Sequence, residues 1–183
     1  LTAPRCFQHF PDFARARLAM LPAGAGWEHL DEVLAYEVHA LDVARFAKGE
    51  KAGNIDLQRL DEWRPRRPAN VRVAAFRFDL PAIVADLKGG VVSTRYPEKP
   101  SWLVFHQAGT QLEVTAINAF GADLLALCDG TVSPAELVAR LQGVHGQGQP
   151  PARFSSSCRD ALRQLAVLDL LETSFPQPPE EGR

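Results

Sequence analysis

The chain has 183 residues and a formal net charge of −2, with 46% hydrophobic and 23% charged residues. This length suits one large or two small domains, and the apolar fraction supports a buried core. The slight negative charge argues against a dedicated nucleic-acid binder, and no apolar run approaches the roughly 20 residues of a membrane span. Three widely spaced cysteines form no CxxC pair and no zinc spacing, which favours reduced thiols and a cytoplasmic location.

The first half of the sequence, residues 1–90, is predicted to be mainly helical. A short helix over residues 10–21 is followed by a longer one over residues 27–47. The second carries apolar residues at steps of three and four, which are Leu30, Val33, Leu34, Val38 and Leu41. Residues 56–64 are predicted to add a short helical stretch that Pro65 closes.

A strand and a short helix end this half. Val71, Val73 and Ala75 alternate with less apolar positions, which predicts a strand with one buried face. Asp79 is then a helix cap and Pro81 lies in the first turn, so residues 80–87 are predicted to be helical. The glycines at 89 and 90 mark the predicted domain boundary.

The second half, residues 91–175, is predicted to form a hairpin and three helices. Residues 91–96 are a candidate edge strand, and residues 101–109 and 111–118 read as a β-hairpin. One helix begins near residue 119, and a second is started by the capping box of Ser133 and Glu136. Residues 143–153 read as an irregular loop, with serines 155–157 capping the third helix. Residues 176–183 are predicted to be a disordered tail.

The predicted fold class is therefore α+β, a helical region followed by a winged-helix-like domain with a small antiparallel sheet. The predicted strand over residues 111–118 carries Gln111, Leu112, Glu113, Val114, Thr115 and Ala116. If that strand lies at the sheet edge, an extended peptide can pair with it. The alternative, a strand paired on both sides, stays open. The peptide is expected to pack on one side of the last helix, formed by Ser155, Arg159, Arg163 and Ala166, while Leu162, Leu165 and Leu168 face the core.

The residues predict neither a catalytic nor a metal site. His29, Glu32, Tyr36 and His39 share one helix side, but a di-iron bundle needs two Glu-x-x-His pairs on different helices. No Gly-x-Ser-x-Gly motif and no phosphate-binding loop is present. The arginine cluster that includes Arg64, Arg66 and Arg67 suits an acidic partner, nucleic acid or simply a solvated surface.

Four stretches of the sequence carry a resemblance to known families. NAFGADLLALCDGTVSPAELVARLQ and CRDALRQLAVLDLLE resemble the PqqD-like recognition elements of ribosomally synthesised peptide (RiPP) pathways. Upstream, WEHLDEVLAYEVHALDVARF and LDEWRPRRPANVRVAAFRFDLPAIV resemble the HvfC/BufC-type maturation partners, including TglI-type subunits of the 3-thiaglutamate pathway. The polar loop over residues 143–153 departs from this pattern.

The resemblance implies a non-catalytic partner subunit in a heterodimer with a TIM-barrel multinuclear iron oxygenase. The subunit would bind the leader of a precursor peptide and present its cysteine to the enzyme. Iron is expected in the partner, with no cofactor in this chain and no contact with nucleic acid or membrane. Partner docking is expected at Arg64, Arg66, Arg67, Tyr36 and His39.

The alternative is a winged-helix transcription regulator in which Arg159 and Arg163 meet DNA phosphates. Residues 91–183 hold more acidic than basic side chains, which weakens that alternative. A stand-alone enzyme is the third class.

Overall fold

A computed structural model of the chain describes residues 6–20, 27–45, 62–109 and 111–174. These residues form an α+β fold, as predicted. The helices are α1 (Cys6–Leu18), α2 (His29–Arg45), α3 (Leu80–Lys88), α4 (Ala119–Leu127), α5 (Pro134–His145) and α6 (Pro151–Val167). The strands are β1 (Arg64–Arg66), β2 (Arg72–Phe78), β3 (Glu98–Ala108), β4 (Gln111–Ile117) and β5 (Glu172–Ser174).

The main sheet is antiparallel with the strand order β2-β3-β4. β3 and β4 form the predicted hairpin, in which Ala108 pairs with Gln111 and Trp102 with Ile117. A second, two-stranded sheet pairs β1 with β5. The predicted boundary at residues 88–90 lies between β2 and β3, which are hydrogen-bonded neighbours. The main sheet is therefore continuous across that boundary.

Helices cover both faces of the main sheet. On one face, α2 and α3 pack over a core of Ala40, Val43, Phe76, Phe78, Leu80, Ile83, Leu103 and Phe105. On the other face, α4, α5 and α6 enclose a core that includes Trp63, Val104, Leu124, Leu125, Leu137, Cys158, Leu162 and Leu171. The prediction of one buried face for β2 is therefore wrong, since Val73 packs on the second core while Phe76 is buried in the first.

Local capping signals are confirmed. The side chain of Asp79 accepts a hydrogen bond from the backbone N–H of Ala82 at the start of α3. At the start of α5, Ser133 and Glu136 form the reciprocal capping box, with Pro134 in the first turn. These contacts satisfy N–H groups that the first turn of a helix leaves without partners.

Four predictions on local structure are wrong. Arg64 begins a strand instead of ending a helix, because Arg64–Arg66 find a partner in Glu172–Ser174, which is distant in sequence. Residues 91–96 form no strand. α6 begins at Pro151, inside the predicted loop, so serines 155–157 lie within the helix and do not cap it. Leu168 follows the end of α6 and is 48% exposed, so it does not face the core.

The predictions for residues 21–26, 46–61 and 175–183 lie outside the described residues. They include the end of the first helix, most of the short helical stretch and the tail.

Candidate functional site at the edge of the sheet

β4 lies at the edge of the main sheet, with β3 as its one strand neighbour among the described residues. The register of the hairpin decides which backbone groups face outward. Ala108 and Gln111 close a two-residue loop and so form a hydrogen-bonded pair, after which bonded and non-bonded pairs alternate along an antiparallel ladder. The outward N–H and C=O groups therefore belong to Leu112, Val114 and Ala116, which we call the open edge.

The opposite edge of the same sheet is bonded by a side chain at its Arg77–Phe78 end. The carboxylate of Glu32 in α2 accepts hydrogen bonds from the backbone N–H of Arg77 at 2.9 and 3.1 Å. It also accepts one from the N–H of Phe78 at 3.2 Å. A register shift between Phe76 and Phe78 further distorts the β2 edge. Natural sheets use such features to prevent edge pairing, so the two edges of this sheet differ in their capacity to accept a strand.

A groove runs beside the open edge on the α2 and α3 side of the sheet. It has a volume of about 300 Å³. Its lining residues, which define the α3–β4 groove, are Tyr36, Pro81, Val84, Ala85, Lys88, Leu103, Val114 and Ala116. Leu103 is 1% exposed and forms part of the buried core below. The groove thus combines an apolar base with two side chains of β4 whose backbone groups face outward.

Sequence reasoning missed the contribution of α3 to this groove. Pro81, Val84, Ala85 and Lys88 recur at the i, i+3, i+4 and i+7 positions of one helix side. A neighbouring stripe of Leu80, Ile83 and Leu87 faces the core. The spacing of Pro81, Val84, Ala85 and Lys88 indicates a shared helix side, but no local sequence pattern indicates that this side lies beside β4.

On the opposite face of the sheet, a buried histidine of β3 lies close to an acidic residue of β4. His106 of β3 is 4% exposed, and its Nε2 lies 3.8 Å from a carboxylate oxygen of Glu113. Burial lowers the pKa of His106, whereas the charges of Glu113 and Asp169 partly oppose that shift. The imidazole is therefore held mainly in its neutral form inside the fold.

The predicted peptide-binding side of α6 is only partly accessible. Ser155 and Arg159 are half-buried, and the guanidinium of Arg163 is bonded to Asp160 on the same helix at 2.7 Å. Ala166 is 5% exposed and belongs to the core, so the prediction that it contacts peptide is wrong. Ala166 lies one turn after the buried Leu162, which places it on the core stripe.

The residues predicted to dock a partner do not form one surface. Tyr36 packs its ring on Phe105 with centroids 5.1 Å apart, and His39 contacts the same ring at 5.5 Å. Both side chains are thus half-buried against the sheet, and burial lowers the pKa of His39.

The three arginines lie instead at the turn that follows α4. Arg64 donates a hydrogen bond to the carbonyl oxygen of Thr131, and the N–H of Arg67 donates to the carbonyl of Cys128 at 2.7 Å. The backbone of Arg66 forms an isolated antiparallel β-bridge with that of Asp129, and the side chain of Arg66 is exposed. This segment therefore joins β1 to the Cys-Asp-Gly turn, where Gly130 adopts a φ of 86°.

The α2 side chains considered above as metal ligands make packing contacts or hydrogen bonds within the fold. His29 is 2% exposed among the rings of Trp27, Phe78 and Tyr96, while Glu32 bonds β2. Within residues 6–20, 27–45, 62–109 and 111–174, no group of three or more His, Cys, Asp and Glu residues is arranged to hold a metal ion.

None of the helices in the described parts of the chain has both the length and the hydropathy of a membrane span. A comparison of the sequence with models of known protein families finds no match, and a comparison with the curated proteins finds none either.

Proposed function

We propose that this chain is a non-catalytic partner subunit that binds the leader of a ribosomally synthesised precursor peptide. It presents the precursor's cysteine to an iron-dependent TIM-barrel oxygenase in the cytoplasm. The leader adds a strand to β4, and the iron and the oxidation chemistry belong to the enzyme partner. The observation that carries the proposal is the contrast between the open edge of β4 and the β2 edge, which Glu32 bonds at Arg77 and Phe78.

Strand addition fits the chemistry of the open edge. Main-chain hydrogen bonds to Leu112, Val114 and Ala116 provide affinity for any extended peptide, and adjacent pockets provide selectivity. A flexible leader loses conformational entropy on binding, so the complex is expected to be moderately tight.

A second apolar surface supports docking on a protein partner. α1 and α2 enclose a groove of about 390 Å³ whose lining includes Ala14, Leu18, Leu30, Val33 and Leu34. Phe13 lines this groove and is 57% exposed. Apolar grooves with an exposed aromatic residue at their rim are typical of protein interfaces. We therefore assign the enzyme-docking role to this surface instead of to Tyr36 and His39.

The first experiment is co-expression of the chain with the neighbouring genes of its locus, followed by affinity purification, mass spectrometry and metal analysis. The proposal predicts a one-to-one complex with an iron-containing barrel enzyme, together with capture of a small precursor peptide. A chain that purifies alone or with DNA contradicts the proposal.

A matched pair of proline variants tests the binding edge. Val114→Pro removes an outward N–H from β4 without removing a hydrogen bond to β3, and proline is tolerated at such edge positions. Ala75→Pro makes the same change at the outward side of β2, where Ala75 is exposed. We expect Val114→Pro to weaken capture of the co-purified precursor at least about tenfold.

Ala75→Pro is expected to leave capture of the precursor unchanged. Thermal unfolding of both variants checks that each remains folded. Equal capture by both variants would show that β4 does not hold the peptide.

A further inference from the structure

We infer that the α3–β4 groove selects the bound peptide by alternate apolar side chains and one acidic side chain that pairs with Lys88. This inference rests on the proposed strand addition at β4 and adds the class of peptide that the site accepts. The observation that supports it is that Val114 and Ala116 each have backbone N–H and C=O groups facing away from β3 and a side chain that lines the groove.

The geometry of strand pairing decides which peptide side chains enter the groove. Residues directly opposite each other on paired strands direct their side chains to the same face of the sheet. The peptide residues opposite Val114 and Ala116 therefore lie on the same face as the groove. The peptide residue between them projects to the other face, on the side of Thr115. The groove thus contacts every second residue of the added strand.

The lengths of the two groove walls agree with this arrangement. The α3 stripe from Pro81 to Lys88 spans seven residue steps, or about 10 Å along the helix. An added strand covers that length with about three residues. About two of these residues place their side chains on the groove face, which is too few to need a larger cavity. A volume of about 300 Å³ is at the lower end of ligand sites, which suits side chains of a peptide.

The lining determines the chemistry of those side chains. Val84, Ala85 and Leu103 offer apolar surface, and the ring of Tyr36 lies at the same groove. Burying apolar side chains there removes their surface from water, which stabilises the complex. Polar peptide residues at these positions would lose hydration without a matching partner.

Charge adds a second element of selection. Lys88 is the one charged side chain among the described residues that line the groove, and it lies at the carboxyl end of α3. It is exposed, and the described part of the chain gives it no acidic partner. An acidic side chain on the groove face of the peptide can therefore pair with its ammonium group, whereas a basic one is repelled.

Selection from a display library of random peptides tests this inference on the full chain. Peptides enriched by the wild-type chain are expected to carry apolar residues at every second position, together with an acidic residue on the same face. Lys88→Glu is expected to shift the enriched charge from acidic to basic. An enriched set without this alternation, or an unchanged charge preference, would overturn the inference.

Two tryptophan variants distinguish the contribution of the groove to peptide binding from that of the β4 backbone. Ala85→Trp fills the groove, whereas Ala82→Trp makes the same change at an exposed position of α3 outside its lining. Ala85→Trp should weaken binding of the selected peptides at least about tenfold and Ala82→Trp less than about twofold.

If Val114→Pro abolishes binding but Ala85→Trp does not, strand addition stands and the groove inference is wrong. If Val114→Pro retains full binding, or if the library yields no binder, the proposed function itself is wrong.

Discussion

The carboxylate of Glu32 and the backbone of Arg77 join α2 to the outer side of β2, at oxygen–nitrogen distances of 2.9 and 3.1 Å. The guanidinium of Arg77 donates a further bond to the same carboxylate at 3.1 Å. One side chain thus satisfies backbone groups that otherwise face solvent at a sheet edge. This contact makes the main sheet asymmetric, because Glu32 bonds the outer side of β2 at Arg77 and Phe78, whereas no strand among the described residues pairs with the outer side of β4.

Replacing Glu32 tests the importance of this contact for stability. Glu32→Ala removes an acceptor of charge-assisted hydrogen bonds and is expected to lower the free energy of unfolding by about 1–3 kcal/mol. Urea unfolding followed by circular dichroism measures the change. Glu37→Ala on the same helix is the control, because Glu37 is exposed, and it should change stability by less than about 0.5 kcal/mol. Equal effects of the two substitutions would contradict this role of Glu32.

Thiol labelling tests the two buried cysteines. Cys158 is fully buried, and Cys128 donates its Sγ–H to the carbonyl of Leu124 at 3.1 Å. Burial raises the pKa of Cys128 to about 12, so the reactive thiolate is scarce at neutral pH. We expect both residues to resist iodoacetamide in the folded chain and to react after urea unfolding, as mass spectrometry of the digested protein will report. Rapid labelling of Cys128 under native conditions would contradict the described packing.

The buried His106 and the half-buried His39 predict how stability depends on pH. Burial lowers the pKa of His106 and of His39 below the ordinary value of 6.5, so the unfolded chain binds more protons than the folded one near that pH. Stability is therefore retained above about pH 6.5 and is lost as the pH falls below it. Urea unfolding at about pH 7.5 and about pH 5.5 measures the loss.

His106→Leu should reduce this pH dependence, because it removes one of the two groups while keeping an apolar side chain in the core. The lowered pKa values of Asp79 and Asp129 act at more acidic pH, as their carboxylates are protonated only below the ordinary value of 3.8. A wild-type chain whose stability is constant between the two pH values would refute the assignment of His106 as a buried neutral residue.

Local signals in the sequence were sufficient for several elements. The cap at Asp79, the capping box at Ser133 and the β3–β4 hairpin all depend on residues close together in the chain, and the structure contains each of them. The sequence left open whether the strand over residues 111–118 is paired on one side or on both, and among the described residues it pairs with β3 alone.

Contacts distant in sequence explain what the sequence alone missed. Glu32 bonds a strand 45 residues away, and no local pattern identifies that partner. A second cause is local: Pro150 and Pro151 are typical of a loop, but proline is also well suited to the first turn of a helix, and α6 begins at Pro151. The predicted strand at residues 91–96 had suitable residue types, but strand propensity depends on finding a neighbour to pair with.

A final prediction separates peptide binding from DNA binding. Arg163 is bonded to Asp160 on its own helix, which lowers its availability for phosphate. We therefore expect only weak binding of a fluorescently labelled duplex, measured by anisotropy at about 50 and 200 mM salt. Peptide capture through backbone pairing should change little over the same range. Tight duplex binding that falls steeply with salt and is lost in the double variant Arg159→Gln, Arg163→Gln would favour the transcription regulator, because phosphate contacts release counterions whereas strand pairing does not.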